Sequence, residues 1–256
     1  MFVVPQDGRN ISPTIYFTDE TAEQIADKIE AGMSSTPTKI DTEKWFTREY
    51  FTKHLQARII SNTAVNLDGL EKNGICYRES EKLGLVVTAY ITLDNMEGAS
   101  IQIRKDMLDK VGMNEIDVIA MAIGNLKDDF QIKSMLEIMR EMIPVEDDIF
   151  EDIWGAEDTG MYVLTNNSRM FGASQLLCDK ALEELGKRIG SYHFYILPSS
   201  IHELIALEKT KDMDPSELLK MVKEVNGTQV EETDRLCDGV FEVDLEEDSP
   251  RINRIA

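Results

Sequence analysis

Apolar residues recur along the chain with two periods, which predict strands interspersed with amphipathic helices. Residues 85–93 are nearly continuously apolar and rich in β-branched side chains, which is typical of a buried strand. A turn-forming stretch at 95–98 is followed by a second apolar stretch at 100–104, and together they predict a β-hairpin. Further strands are predicted at residues 14–17, 58–60, 161–165, 193–197, 201–207 and 240–243, with a sheet edge near 170–174.

Helices are predicted where apolar residues return every three or four positions after a capping residue. Thr18 is the predicted cap of a first helix that ends at Gly32. Asn114 is the cap of a later helix, and Asp214 followed by Pro215 is a strong start signal for the last one. The predicted inward stripes are Ala22, Ile25, Ala26 and Ile29; Ile116, Ile119, Ala120 and Ile123; Ile132, Met135, Leu136, Met139 and Met142; Leu177, Ala181, Leu182, Leu185 and Ile189; and Leu218, Leu219, Val222 and Val225.

An acidic segment interrupts this pattern after Pro144. Residues 145–158 contain seven acidic residues and no basic one. We expect a solvated linker here, which joins an N-terminal lobe, residues 1–144, to a C-terminal lobe, residues 159–256. Hairpins that alternate with single helices predict an α+β fold with two layered lobes, each a small, mainly antiparallel sheet with packed amphipathic helices.

The charge balance narrows the classes of partner. The chain has 27 Lys and Arg residues against 48 Asp and Glu residues, a net charge of −21 at pH 7. Direct binding to nucleic acid is therefore not expected, and neither is binding to a membrane, because anionic surfaces attract basic patches. Residues 231–248 carry nine acids and one base, Arg235. This density favours solubility or, if it is held rigidly, imitation of a nucleic-acid backbone.

The cysteines indicate a reducing compartment. Cys76, Cys178 and Cys237 lie far apart without C-x-x-C spacing, so neither a disulfide framework nor a zinc knuckle is predicted. The first residues show no basic and apolar export pattern, and the longest apolar stretch, residues 83–93, is about half a membrane span. We expect a cytoplasmic protein with free thiols.

The densest polar cluster in an apolar context lies between two predicted strands. A serine beside an imidazole can perform acyl transfer, so Ser199, Ser200 and His202 are candidate catalytic residues. No G-x-S-x-G elbow accompanies them, and the same residues are typical of a strand break in which hydroxyls bond the backbone. His202-Glu203 also begins like the zinc motif H-E-x-x-H, but Ala206 stands at the second histidine position. No metal site is predicted.

Several separated blocks in the C-terminal half resemble a known family. The blocks are residues 161–166 (MYVLTN), 172–173 (GA), 195–203 (YILPSSIHE), 214–215 (DP) and 225–230 (VNGTQV), with a weaker match at 10–16 (NISPTIY). They are similar to a bacterial family catalogued as domain of unknown function 5688, common in gut Firmicutes and their mobile elements. The resemblance implies no activity, no cofactor and no catalytic residue.

These patterns favour a non-enzymatic protein-interaction or regulatory module without a cofactor, whose partner is a protein. The alternatives are a hydrolase that uses Ser200 and His202, and an acidic mimic of nucleic acid. Asn166, Glu203 and Asn226 are candidate binding residues. The hydrolase hypothesis requires that the candidate residues converge on an accessible cleft, whereas burial in packing opposes it.

Overall fold

The computed structural model describes residues 2–3, 14–15, 21–35, 42–94, 99–142, 160–247 and 249–256. The predicted acidic linker, residues 145–158, lies outside these ranges. The chain divides into two compact units, Met1–Thr47 and Arg48–Ala256.

The first unit contains a two-stranded antiparallel sheet and one long helix. Strand β1 (Phe2–Val3) pairs with β2 (Thr14–Ile15), and α1 (Ala22–Ser35) is followed by a 3-10 turn at Glu43–Phe46. The helix begins after Thr21, whose hydroxyl accepts from the Gln24 amide while the Gln24 side chain accepts from the Thr21 amide. The prediction that α1 ends at Gly32 is wrong, because one helical glycine costs only about 1 kcal/mol and does not stop a helix by itself.

The second unit contains a four-stranded antiparallel sheet around β5 (Leu85–Thr92). Strand β3 (Leu55–Ser61) pairs along one edge of β5. Strands β4 (Tyr77–Ser80) and β6 (Ser100–Gln102) pair with successive parts of the other edge. The predicted β5–β6 hairpin is confirmed. The helices of this part are α2 (Arg48–His54), α3 (Ala64–Lys72), α4 (Leu108–Val111) and α5 (Glu115–Asn125), with 3-10 turns at Lys105–Met107 and Leu126–Asp128.

Helices pack against this sheet through apolar side chains of β3. Ile60 packs against a cluster that includes Leu70 of α3, whereas Ala57 and Ile59 on the other face are fully buried. Helix α5 contacts β3 and β5. The predicted cap of α5 is confirmed, since Asn114 accepts from the amide of Asp117 at 2.9 Å.

A six-stranded antiparallel sheet forms the rest of the unit, in the order β12-β11-β9-β10-β8-β7. Its strands are β7 (Gln131–Ser134), β8 (Met161–Thr165), β9 (His193–Pro198), β10 (Leu204–Glu208), β11 (Phe241–Asp244) and β12 (Arg251–Arg254). Strand β7 precedes the acidic segment and pairs with β8, which follows it. The six-stranded sheet thus takes one strand from the N-terminal side of the predicted linker, and the division into lobes stays a prediction.

Three helices accompany this sheet: α6 (Met135–Met142), α7 (Asp179–Ile189) and α8 (Pro215–Thr228). Tyr195 and Leu197 of β9 pack in one cluster with Leu218 and Val222 of α8. The predicted cap of α8 is confirmed, because Asp214 accepts from the Ser216 amide.

The inward stripe of α8 differs at one residue from the predicted one. Leu218, Val222 and Asn226 are buried, whereas Val225 is 39% exposed. Positions 218, 222 and 226 are successive i, i+4 neighbours on one face, and a buried Asn takes the place that an apolar residue was expected to fill.

The inward stripe of α5 also differs from the predicted one, since Ile116 is 75% exposed whereas Val118, Ile119 and Ala122 are buried.

Other local predictions are wrong as well. Ile132 does not open a helix but pairs with Leu164 in the sheet, because β8 offers backbone groups that need partners. The predicted edge near 170–174 is a 3-10 turn, Gly172–Leu177, which follows the left-handed Phe171 (φ 58°). The strand predicted at 201–207 begins at Leu204. The α+β class with antiparallel sheets and packed helices is confirmed.

Candidate functional site

The loop between β9 and β10 is closed by its own polar groups. The Ser200 amide donates to the Glu203 carbonyl at 3.2 Å, and the His202 amide donates to Oγ of Ser200 at 3.0 Å. Oγ of Ser199 donates to Oε1 of Glu203 at 3.4 Å. Both serine hydroxyls and Glu203 therefore serve the turn itself, as hydroxyls commonly do at a strand break.

His202 ties this loop to two other segments. Its Nδ1 accepts from the amide of Phe171 at 3.1 Å, and its ring stacks on the Phe171 ring with centroids 5.5 Å apart. Its Nε2 lies 3.8 Å from Oδ1 of Asp234, and its carbonyl accepts from Oγ1 of Thr165. Within the described part of the chain neither ring nitrogen contacts a serine hydroxyl. The hydrolase alternative stays a prediction, without a serine–histidine dyad to support it.

The two candidate asparagines are buried and lie in different places. Asn166 is 3% exposed and holds a turn, since its Nδ2 donates to the Met170 carbonyl and its Oδ1 accepts from the Met170 amide. Asn226 is equally buried, and its Nδ2 donates to the Cys237 carbonyl and to Oδ1 of Asp238. Asn166 adjoins Thr165 and hence His202, whereas Asn226 binds the segment before β11.

Close packing surrounds the junction between Asn166 and His202. A Cβ on Gly172 would lie 2.6 Å from the His202 carbonyl oxygen and 2.7 Å from the Asn166 amide nitrogen, and it would also clash with Oγ1 of Thr165. The next residue back, Phe171, has a left-handed backbone that is costly for a side chain of its size. The amide hydrogen bond to His202 and the stacking of the two rings offset that cost.

A second region, which the sequence did not indicate, contacts Phe171 from the four-stranded sheet. The guanidinium carbon of Arg58 on β3 lies 4.3 Å from the centroid of the Phe171 ring, and Tyr90 meets the same ring edge-on. The Nε of Arg58 is buried without a hydrogen-bond partner among the described residues. Burial lowers the pKa of Arg58, while Tyr90 and Asp234 oppose that shift.

A cleft of about 870 Å³ opens beside Arg58. Two more arginines line it, Arg235 from the segment before β11 and Arg254 from β12, together with the acids Glu232 and Asp238. Thr63, the cap of α3, also lines the cleft, and its side chain accepts from the Asn66 amide at 3.2 Å. This cleft could not be predicted from the sequence, because three single arginines from distant segments form no motif.

Three potential metal ligands lie close together where β9 begins and β11 ends. His193, Asp244 and Glu246 bring one ligand atom each to within 4.8 Å of one another. Imidazole with two carboxylates suits a divalent transition metal. The same carboxylates also bracket the ring, with Oε1 of Glu246 at 3.1 Å from Nε2 and Oδ1 of Asp244 at 3.7 Å from Nδ1. The sequence assigned His193 no role, because its companions follow about fifty residues later.

All three cysteines are free thiols. Burial raises the pKa of Cys76 and of Cys237 to about 11, and it also raises the pKa of Cys178. These thiols stay protonated at neutral pH, and Cys178 is a small buried side chain. None of the helices in the described part of the chain has the length and apolar character that a membrane span requires.

Comparison with known proteins gives one match. No curated protein and no solved structure matches the chain. The sequence model of a family of unknown function, DUF5688, matches residues 2–244, which extends the expected resemblance from the C-terminal half to nearly the whole chain. The chain belongs to this family of unknown function, DUF5688.

Proposed function

We propose that the protein is a non-enzymatic protein-interaction or regulatory module. The observation that carries this proposal is the use of His202, whose Nδ1 accepts a backbone hydrogen bond and whose Nε2 faces Asp234. A general base needs a ring nitrogen within reach of the proton that it removes. In this chain the imidazole instead joins the β9–β10 loop to Phe171 and to the Asp234 segment.

Exposed apolar side chains on α8 support contact with a partner protein. Met221 is 54% exposed and Val225 is 39% exposed, and they lie one helical turn apart. They border the buried face of α8, because each follows a buried residue, Leu218 or Val222, by three positions. The net charge of −21 favours a partner with a basic rim around a complementary apolar patch. We place this interaction in the cytoplasm of a bacterium, as the family resemblance implies, and the three free thiols support that setting.

The acidic segment at residues 231–248 gives less support to imitation of nucleic acid than the exposed surface of α8 gives to protein contact. Several of its acids already have basic or polar partners, since Glu242 pairs with Lys209, Glu247 pairs with Arg251 and Asp238 accepts from Asn226. A phosphate backbone would be imitated by acids that remain unpaired along one face. Protein interaction or regulation is therefore the single function that we propose.

Two measurements test the proposal. Turnover of generic esters, peptides and phosphoesters by the full chain should equal that of His202→Ala and Ser200→Ala, because neither side chain acts on a substrate. Turnover that disappears in both variants while circular dichroism stays unchanged would overturn the non-enzymatic assignment.

The second measurement compares capture of partners from a bacterial lysate. The double variant Met221→Glu, Val225→Glu should lose a partner that the parent chain retains, because carboxylates on α8 prevent apolar contact. Ile116→Glu is the matched control, since Ile116 is 75% exposed on α5 and lies outside this surface. Equal capture by all three chains would contradict a role for α8.

A further inference from the structure

We infer that the cleft beside Arg58 binds a small molecule that carries a phosphate group. The inference deepens the proposed regulatory function and depends on that function for its biological purpose. Its geometric basis is separate, because the cleft shares no residue with the exposed surface of α8.

The first support is that the arginines of the cleft have no carboxylate partner. Arg58, Arg235 and Arg254 form no ion pair with any acid in the described part of the chain. Four other arginines form ion pairs: Arg104 with Asp106, Arg169 with Glu141, Arg188 with Glu137, and Arg251 with Glu247. The exposed Arg48 and Arg78 also form none among the described residues. The arginines of the cleft differ from those two because they line one concave surface together.

The second support is that two of the guanidinium groups are held in place by the fold. The guanidinium carbon of Arg58 lies 4.3 Å from the centroid of the Phe171 ring, and its Nε is buried, which leaves the two terminal nitrogens as the donors that a ligand could meet. Arg254 lies between two glycines: a Cβ on Gly84 would come within 2.5 Å of Nη1, and one on Gly239 within 2.9 Å of Nε. Planar donors held in this way match the oxygens of phosphate.

Arg254 and Arg235 each use only one N–H donor in a hydrogen bond with the described chain. Nη2 of Arg254 donates to the Asp238 carbonyl at 2.5 Å, and Nε of Arg235 donates to the Val230 carbonyl at 3.0 Å. A guanidinium has five N–H donors, so each of these single bonds leaves four. Each bond also orients the group from which it comes.

The distribution of charge favours a small anion over a polymer as the ligand of the cleft. The charged residues that line the cleft, three arginines with Glu232 and Asp238, sum to +3 − 2 = +1, whereas the whole chain carries −21. A nucleic acid or an acidic protein would face the repulsion of the whole surface, but a small anion meets mainly the local field, which falls off over about 10 Å. The N-terminal end of α3, at Thr63, adds a favourable dipole.

The test is calorimetric titration of the full chain with three probes: inorganic phosphate, pyrophosphate and malonate. The parent chain should bind phosphate and pyrophosphate, and Arg58→Met should weaken that binding about tenfold or more, since a charge-assisted hydrogen bond contributes about 1.5–3 kcal/mol. Arg58→Lys keeps the charge but loses the planar donors, so its affinity should fall between the two. Arg78→Met is the matched control, because Arg78 is exposed on β4 outside the cleft.

Thermal unfolding of each variant separates lost binding from lost structure. Equal affinity in Arg58→Met and Arg78→Met, absence of phosphate binding in a folded parent chain, or binding of malonate in preference to both phosphates would each overturn the inference. Phosphorus NMR of the pyrophosphate sample distinguishes this failure from that of the proposed function. Hydrolysis of pyrophosphate would remove the non-enzymatic assignment and leave the phosphate site intact, whereas intact pyrophosphate that binds supports both.

Discussion

The β9–β10 loop and the Arg58 cleft both adjoin Phe171, and they use polar side chains in opposite ways. In the loop, the side chains of Ser199, Ser200 and His202 all bond to the chain itself. In the cleft, Arg58 keeps a buried donor without an acceptor. The polar groups of a dense motif can all be satisfied by hydrogen bonds within the fold. Donors without a partner are a better indication of where a ligand can bind.

The largest effect is expected at the close-packed junction behind the loop. Gly172→Ala should lower the free energy of unfolding by about 2–3 kcal/mol, because the new Cβ would overlap backbone atoms of His202 and Asn166 that cannot move independently. Urea denaturation measures this loss. Gly124→Ala is the control: nothing lies within 4 Å of its Cβ in α5, so it should be neutral or stabilise by up to about 1 kcal/mol. Equal effects at both glycines would contradict the tight junction.

A smaller loss is expected for His202→Ala, about 1–2 kcal/mol, because the amide of Phe171 loses its acceptor and the ring loses its stack. Phosphate affinity should change less than twofold, since the imidazole does not line the cleft. Urea denaturation and calorimetry on one preparation give both numbers. A stable variant that has lost phosphate binding would show that the two regions act together and would break the comparison.

Arg58→Met should show the reverse profile. Its free energy of unfolding should stay within about 1 kcal/mol of the parent, because removing a partly desolvated charge offsets the lost contact with Phe171. Denaturation in urea without added phosphate is the measurement. A loss larger than that of His202→Ala would mean that Arg58 is mainly structural.

Gly239→Ala should have the smallest effect on stability, below about 1 kcal/mol, because its Cβ would meet only the Arg254 side chain, which is exposed and can shift outward. The displaced guanidinium should weaken phosphate binding several-fold. Calorimetry beside urea denaturation checks both statements. Unchanged affinity would exclude Arg254 from the site and would narrow the inference to Arg58 and Arg235.

Local signals predicted much of the fold because they act over a few residues. Asn114 and Asp214 cap their helices as expected, and Gly190 ends α7 in the left-handed conformation that favours glycine. Residues 63–81 show no clean period, so α3 and β4 could not be predicted. Helix α3 is short, and its amphipathic pattern is weak; its cap, Thr63, is a common residue type whose role depends on context.

Long-range pairing explains the remaining errors. Ile132 lies at helical spacing from Met135 and Leu136, yet it joins β8 because the sheet supplies partners about thirty residues away in sequence. The Arg58 cleft could not be predicted from the sequence for the same reason. Arg58 is the one charged residue of β3, and only the tertiary structure shows that Arg235 and Arg254 line the same cleft. None of the three forms an ion pair with an acid among the described residues.

The position of Arg254 on β12 has a consequence for how the protein is made. Synthesis proceeds from the N-terminus, so the third arginine of the cleft leaves the ribosome after every other strand of the sheet. The Ala256 carbonyl then accepts from the Val240 amide, which fastens that last strand beside Gly239. A nascent chain that has not yet released these residues lacks the edge strand of the sheet and the side of the cleft that Arg254 lines.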